Sequence, residues 1–197
     1  ALFIARLGTV ASASHQIAAS VAAVLYMLPL SLAIATSSRA SFWLGAGRPH
    51  RARAAIGTGL ALAIIAGAGQ AGLIWLGREL LAGLYATQPA VIALAATLLA
   101  WVALFHFFDA IQALCVFVLR CYRITVAPLL VYCILLWGIG LGGGYLLAYE
   151  GLVDRGPTRD PATFWAAGAG ALALTALIFL VFLARALRRP ASLVRPA

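Results

Sequence analysis

One acidic side chain, Asp109, lies inside a long apolar run where no loop accounts for it. A carboxylate near the centre of a membrane helix costs roughly 2.5 to 3.5 kcal/mol, and such residues usually mark an ion or substrate path. We therefore interpret Asp109 as a proton or cation site facing a hydrated cavity, with sodium as the one metal ion that it would hold. The alternative is a structural carboxylic acid that is hydrogen-bonded to Gln112, one helical turn later.

The neighbours of Asp109 on the same helix are mostly aromatic. At helical spacing, Phe105 and Gln112 share roughly one face with Asp109, together with Trp101, Phe108 and Val116. Aromatic rings attract cations, so this face predicts a binding surface for amphipathic cationic small molecules; the alternative is packing in the core or against lipid. His106, one turn before Asp109, is close enough to pass a proton, or is instead a hydrogen-bonded core histidine.

The composition requires lipid as the solvent. Hydrophobic residues make up 64% of the 197 residues and charged residues only 10%, whereas soluble domains contain about 25% charged residues. Because a membrane helix needs about 20 residues, the chain has room for five or six spans and no separate soluble domain. We predict an all-α polytopic membrane helix bundle. A membrane enzyme would need a haem-type histidine pair or a nucleophile cluster, so we expect neither an enzyme nor a cofactor.

Five apolar runs predict five membrane spans, approximately at residues 17–38, 54–77, 89–119, 124–149 and 162–184. Pro29 in the first span predicts a kink and a candidate hinge, since membrane helices tolerate proline. Glycines recur in the second and fourth spans, which indicates close helix packing. For the fourth span, a locally unwound segment is the alternative.

The basic residues lie between the apolar runs, which is typical of loops that fix membrane topology and argues against a nucleic-acid partner. The net charge is +9, and all fourteen basic residues are arginines. One side of the predicted membrane has no acidic residue and carries Arg39, Arg48, Arg51, Arg53, Arg120, Arg123, Arg185, Arg188, Arg189 and Arg195. The other side carries Arg6, Arg78, Arg155 and Arg159 with Glu79, Glu150, Asp154 and Asp160. The first side is predicted to be cytoplasmic, with the carboxy terminus inside a bacterial inner membrane.

The start of the chain is apolar and lacks the charged region and cleavage site of a secretory signal. Residues 1–4 resemble the end of a preceding span. We therefore expect the sequence to be a fragment of a longer membrane protein.

Several segments together resemble one transporter family. They are Leu7 to Ala11 followed by His15 to Ala18, Leu28 to Ser31, Arg39 with Leu44 to Gly47 before Ala52 to Ala55, and Leu84-Tyr85. The most specific is Phe105 to Gln112 followed by Leu119 to Arg123. The chain is similar over nearly its whole length to the carboxy-terminal lobe of multidrug and toxic compound extrusion (MATE) transporters of the NorM-like branch.

The resemblance implies a fold and a function. It implies twelve helices in two lobes, of which residues 1–197 would form part of the carboxy-terminal lobe, from the end of helix 7 to helix 12. It also implies multidrug efflux by antiport, with drug moving out and a sodium ion or proton moving in, and a missing amino-terminal lobe as partner. By this match Asp109 is the cation-site acid of the lobe. Membrane lipids would surround the lobe as a whole.

One departure leaves the coupling ion open. Phe105 stands where NorM-like members often have tyrosine, which removes one oxygen ligand that sodium would use. The remaining alternatives are an inactive fragment of a disrupted transporter gene and a lipid flippase of related architecture. A flippase would need a larger and more basic cavity for lipid phosphates.

Overall fold

The computed structural model describes residues 2–151 and 156–188, and this part of the chain contains helices and no β-strand. Asp154, Arg155, Arg189 and Arg195, which entered the charge count, lie outside the described residues. The α-helices are α1 (Leu2–Ala5), α2 (Thr9–Leu25), α3 (Met27–Gly45), α4 (Pro49–Tyr85), α5 (Pro89–Cys121), α6 (Val126–Cys133) and α7 (Ala162–Arg188). Two π-helical segments, Ile134–Gly143 and Leu146–Glu150, follow α6.

Five helical stretches are long and apolar enough to cross a membrane: Thr9–Gly45, Pro49–Tyr85, Pro89–Cys121, Val126–Glu150 and Ala162–Arg188. They confirm the all-α membrane fold. The helices are longer than the apolar runs, because charged and small residues continue the helix at the ends: α4, for example, includes Arg51 and Arg53 before its apolar part and Glu79 after it. Hydropathy marks only the part of a helix that suits hydrocarbon.

Helix α5 lies at the centre of the bundle, packed against α2, α3, α4 and α7. Its side chains enter all three hydrophobic clusters, including Leu114 and Val118 beside Phe179 of α7, and Leu99 beside Ile74 of α4. By contrast, many large apolar side chains on α4 and on the π-helical stretch are exposed, such as Leu76 and Trp137. The central position of α5 fixes where its polar residues can point.

The first membrane-length stretch is interrupted between α2 and α3, at Tyr26. Pro29 is buried at the start of α3 and has no N–H to donate to the carbonyl of Leu25, four residues earlier. The regular helix therefore breaks one turn before the proline, and Tyr26 stands at the break.

Some of the glycines in the second span allow close helix packing, as the sequence predicts. A side chain at Gly59 of α4 would overlap Thr36 of α3, and the Cβ of a side chain at Gly67 would come within 3.0 Å of the Ala110 Cβ of α5. A Cβ added at Gly57, Gly69 or Gly72 would lie more than 4 Å from the described atoms of neighbouring helices.

The π-helical segments occupy the glycine-rich part of the fourth span. An added Cβ at Gly140 would lie 3.5 Å from both Gly168 and Ala171 of α7, and one at Gly144 would lie 2.8 Å from Phe164 Cδ1. This part of the chain therefore packs closely on α7 and remains helical, with a wider turn than an α-helix. Such π-segments occur frequently at functional sites.

Candidate functional site

A cavity of about 660 Å³ opens beside the second half of α5. The sequence predicts that this half of the helix is directed toward the cytoplasm. The lining of the cavity comes from five parts of the bundle: the α2–α3 break, α5, the turn after α5, α6 and α7. The lining residues are Tyr26, Phe105, Asp109, Gln112, Val116, Phe117, Arg120, Thr125, Pro128, Leu129, Tyr132 and Phe179. We call this space the Asp109 cavity.

Three of the predicted site residues, Phe105, Asp109 and Gln112, line the Asp109 cavity together. Gln112 is buried, whereas Phe105 and Asp109 are half-buried. Within the described residues no hydrogen bond involves the Asp109 carboxylate, so the bond to Gln112 that the alternative interpretation required is not formed. The acid faces open space instead of a neighbouring donor, which is the arrangement that an ion site needs.

Two tyrosines complete the site, and the sequence reasoning missed both. Tyr26 at the α2–α3 break and Tyr132 of α6 line the same cavity as Asp109. They add two phenol oxygens to a carboxylate and an amide, and hard cations prefer oxygen ligands. The position of Tyr26, three residues before Pro29, is a sequence signal that could have identified this residue.

Trp101 and Phe108 do not reach the Asp109 cavity, although the sequence placed them on its face. Trp101 packs beside Trp165, and Phe108 packs edge-on against Phe107. Phe108 is adjacent to Asp109, and successive residues of a helix are about 100° apart, so its side chain points to a neighbouring helix. The lining continues on the other flank of Asp109, to Phe117.

His106 is buried, only 1% exposed, and is held by another helix. Its Nε2 lies 3.2 Å from Oε1 of Gln70 in α4, and Gln70 Nε2 lies 3.2 Å from the Leu25 carbonyl oxygen. His106 does not line the Asp109 cavity. The structure therefore places it in the core hydrogen-bonded position that was the alternative to a proton relay.

Arg120 lies at the far end of the cavity, about 16 Å along the helix axis from Asp109. Its guanidinium lies over the Phe117 ring, 4.8 Å from the ring centroid. The sequence assigned this arginine to a loop because it follows the apolar run. The cavity therefore has an acid in its middle and a cation at its end.

A smaller cavity of about 190 Å³ is lined by Phe3, Ile4, His15, Leu141, Phe164 and Trp165. The Phe105 and Trp165 rings meet edge to face with centroids 5.8 Å apart. Phe105, which lines the Asp109 cavity, therefore contacts one of the aromatic residues that line the smaller cavity.

The described part of the chain contains no group of three or more His, Cys, Asp or Glu residues that could bind a metal ion. Cys115, Cys121 and Cys133 are free, and Cys121 accepts a hydrogen bond from Ser41 Oγ at 3.2 Å. The polar groups that line the Asp109 cavity are one carboxylate, one amide, two phenols, the Thr125 hydroxyl and the Arg120 guanidinium, and the remaining lining is aromatic or aliphatic.

In the described part of the chain, five membrane-length helices surround one acid in an aromatic cavity, which is the architecture of a multi-pass membrane protein. The sequence model of the MatE family matches residues 1–146, so the chain belongs to that family. Membership places it among transporters rather than enzymes. The resemblance found in the sequence is thereby confirmed.

The relatives agree with this assignment. The chain is 38% identical over 192 residues to a probable multidrug resistance protein NorM of Aromatoleum aromaticum, covering 96% of this chain and 41% of that protein. It is 40% identical over 191 residues to the multidrug resistance protein PmpM of Pseudomonas aeruginosa, covering 96% and 39%. The chain thus spans about 40% of the length of these relatives.

A solved structure supports the fold independently. The crystal structure of the eukaryotic MATE transporter AtDTX14 superposes with a TM-score of 0.76, covering 93% of this chain and 41% of that one, at 20% sequence identity. The helical bundle of this chain therefore has the same fold as one part of the larger helical bundle in that structure.

Proposed function

We propose that this chain is the carboxy-terminal lobe of an efflux transporter, which exports amphipathic cationic compounds in exchange for sodium ions or protons. The observation that carries the proposal is the position of Asp109, an acid with no hydrogen-bond partner among the described residues, in an aromatic cavity of about 660 Å³. Relatives over 96% of the chain are named as multidrug resistance proteins, which supports the same activity. Their greater length supports an amino-terminal lobe as the partner of this one.

The residues that line the cavity contribute a negative charge, aromatic faces and a hydrogen-bonding amide. Asp109 supplies the negative charge that a coupling ion or a cationic drug needs, and the rings of Phe105, Tyr26 and Tyr132 offer faces that attract cations. Gln112 adds an amide that can either donate or accept a hydrogen bond. In this proposal Asp109 binds the coupling ion or the drug in turn, so that release of one accompanies binding of the other.

The proposed location is a bacterial inner membrane with the carboxy terminus in the cytoplasm. This orientation is supported by Arg39, Arg48, Arg51 and Arg53 in the α3–α4 region, by Arg120 in the last turn of α5 and by Arg123 just after it, because basic segments beside membrane helices stay inside. A direct test replaces Cys115, Cys121 and Cys133 first and then introduces one cysteine at a time, at Ser41 or at Thr87. An impermeant thiol reagent added to intact cells is expected to label Thr87→Cys and to leave Ser41→Cys unlabelled.

The experiment that tests the function uses cells that express the full-length parent gene. Drug efflux is measured with the sodium gradient and the proton gradient collapsed separately, in wild type, Asp109→Asn and the matched control Glu150→Gln, whose side chain is an exposed acid outside the cavity. We expect Asp109→Asn to lose gradient-driven efflux and Glu150→Gln to keep it. The gradient whose collapse stops the wild type identifies the coupling ion.

Two outcomes would contradict this proposal. Gradient-driven efflux that persists in Asp109→Asn would reduce the acid to a structural residue. Absence of efflux from wild-type protein that is correctly inserted would favour the inactive product of a disrupted gene.

A lipid flippase is the second candidate, and Arg120 is the observation that favours it. A basic group lining a membrane cavity can attract a lipid phosphate, although here its guanidinium lies over Phe117. Purified full-length protein in vesicles with fluorescent phospholipids distinguishes the candidates. A flippase moves the lipid and depends on Arg120, whereas the drug transporter leaves it in place.

A further inference from the structure

Three groups from three helices meet beside the Asp109 cavity. They are the Leu25 carbonyl at the end of α2, the Gln70 side-chain amide of α4 and the His106 imidazole of α5. The two contacts are both 3.2 Å, from Gln70 Nε2 to Leu25 O and from Gln70 Oε1 to His106 Nε2. Gln70 of α4 therefore connects two other helices, α2 and α5, through the two ends of one side-chain amide.

Pro29 explains why the Leu25 carbonyl needs a donor from another helix. In an unbroken helix the N–H of residue 29 would bond to this carbonyl, but proline has no N–H. In lipid an unsatisfied carbonyl is costly, so a neighbouring helix must supply the donor. Gln70 supplies it.

The chemistry of the three groups fixes the direction of both hydrogen bonds. A carbonyl oxygen can only accept, so the Gln70 NH₂ group must face Leu25. The Gln70 Oε1 must then face His106, and it can only accept. His106 therefore donates through an Nε2–H, and the amide of Gln70 is used at both ends.

Both ends of this contact adjoin residues of the Asp109 cavity. Tyr26 follows Leu25 directly and lines the cavity, and Asp109 follows His106 by one turn of the same helix. We propose that Gln70 is a positioning residue, which docks the α2–α3 break onto α5 and so sets Tyr26 against Asp109. This inference rests on the proposed function, because the cavity it positions is the proposed ion and drug site.

The test is a double-mutant cycle between Pro29 and Gln70 in the purified full-length transporter. Pro29→Ala returns an N–H to the Leu25 carbonyl, so Gln70 should matter much less in that background. Gln70→Leu removes both hydrogen bonds at similar size. Gln16→Leu is the matched control, since Gln16 is an exposed glutamine whose side chain hydrogen-bonds to Ser20 on its own helix and does not line the Asp109 cavity.

Two readouts are needed, and the first does not depend on transport. Spin labels at the exposed positions 13 and 38, on either side of the break, report the bend between α2 and α3 in protein whose native cysteines are replaced. We expect Gln70→Leu to broaden this distance distribution. The distribution in the double variant Pro29→Ala/Gln70→Leu should be as narrow as in Pro29→Ala alone. Gln16→Leu should match the wild type.

The second readout is the concentration of coupling ion that half-saturates efflux. Loss of the bond that satisfies the Leu25 carbonyl is expected to raise it about tenfold in Gln70→Leu, with turnover at saturation within about threefold. In the Pro29→Ala background the same change should be within about twofold. A residue that only supports folding would lower the amount of transporter and leave this concentration unchanged.

The outcomes separate this inference from the proposed function. Equal distance distributions in wild type and Gln70→Leu, or equal effects of Gln70→Leu in both backgrounds, would overturn the positioning role. Absence of any efflux would overturn the proposed function, and the spin-label distances would still decide the role of Gln70. If Gln70→Leu does not fold, Gln70→Asn carries the same comparison, because its shorter amide cannot reach both partners.

Discussion

The Nε2 atom of His106 lies 3.2 Å from the Oε1 atom of Gln70, and this contact turns the imidazole toward α4. His106 is one turn from Asp109 along α5, yet its hydrogen bond belongs to the core. A titratable histidine and a histidine that only donates a hydrogen bond respond differently to the same substitutions.

We predict that His106→Gln keeps ion-coupled efflux within about threefold of wild type, because an amide can still donate to Gln70. His106→Ala should fall by about tenfold, since Gln70 Oε1 then loses its donor. Efflux driven by each ion gradient across a range of pH is the measurement. A proton relay would instead lose proton-driven efflux in both variants, since neither glutamine nor alanine titrates in this range.

The close contact between Gly144 and Phe164 predicts a stability effect. A Cβ at residue 144 would lie 2.8 Å from Phe164 Cδ1 and 3.2 Å from Phe164 Cα, so part of the neighbouring backbone must shift. Gly144→Ala is expected to destabilise the protein by about 1 to 3 kcal/mol. Gly143→Ala is the matched control, because its Cβ would meet nothing within 4 Å. Thermal unfolding in detergent measures both, and equal midpoints would contradict the packing.

The turn after α5 predicts a substitution that stabilises. Arg123 has a φ of 59°, in the left-handed region that favours glycine, while Ile124 N donates to the Leu119 carbonyl at 3.0 Å to end the helix. Arg123→Gly should therefore raise stability by about 1 kcal/mol. Arg123→Gln removes the same charge but keeps the left-handed strain, so its unfolding midpoint should stay near that of wild type. A gain of equal size in both variants would attribute the effect to charge.

The membrane helices and Asp109 could be predicted from the sequence because lipid leaves few choices. Without water, the backbone must satisfy its own hydrogen bonds, so a long apolar run is a helix and a single acid within it stands out. Phe105 and Gln112 followed from helical periodicity alone, since they lie on the same helix as Asp109.

The rest of the site depends on which helices become neighbours, and periodicity carries no such information. Tyr132 and Phe179 reach the cavity from α6 and α7, and nothing in their local sequence distinguishes them from other aromatics. Pro29 showed that the Leu25 carbonyl would be free, but only packing reveals that Gln70 is its donor. The ends of helices were missed for a simpler reason: Arg120 is charged, and hydropathy assigned it to a loop.

The two tyrosines of the Asp109 cavity bear on the coupling ion. Phe105 lacks the hydroxyl that the family resemblance implies at its position, while Tyr26 and Tyr132 bring two phenol oxygens to the same cavity from other helices. A sodium ion needs several oxygen ligands, whereas a proton needs only the carboxylate. The tyrosines therefore matter for coupling only if the ion is sodium.

We predict that, if sodium drives efflux, Tyr26→Phe and Tyr132→Phe each raise the half-saturating sodium concentration about fivefold, because each removes one oxygen. Phe105→Tyr should lower it, since it adds an oxygen to the same cavity. Tyr85→Phe, which changes an exposed tyrosine at the end of α4, is the control. If both cavity variants keep the wild-type sodium dependence while Asp109→Asn abolishes efflux, the carboxylate alone carries the ion. The phenol oxygens of Tyr26 and Tyr132 would then not be ligands of the sodium ion.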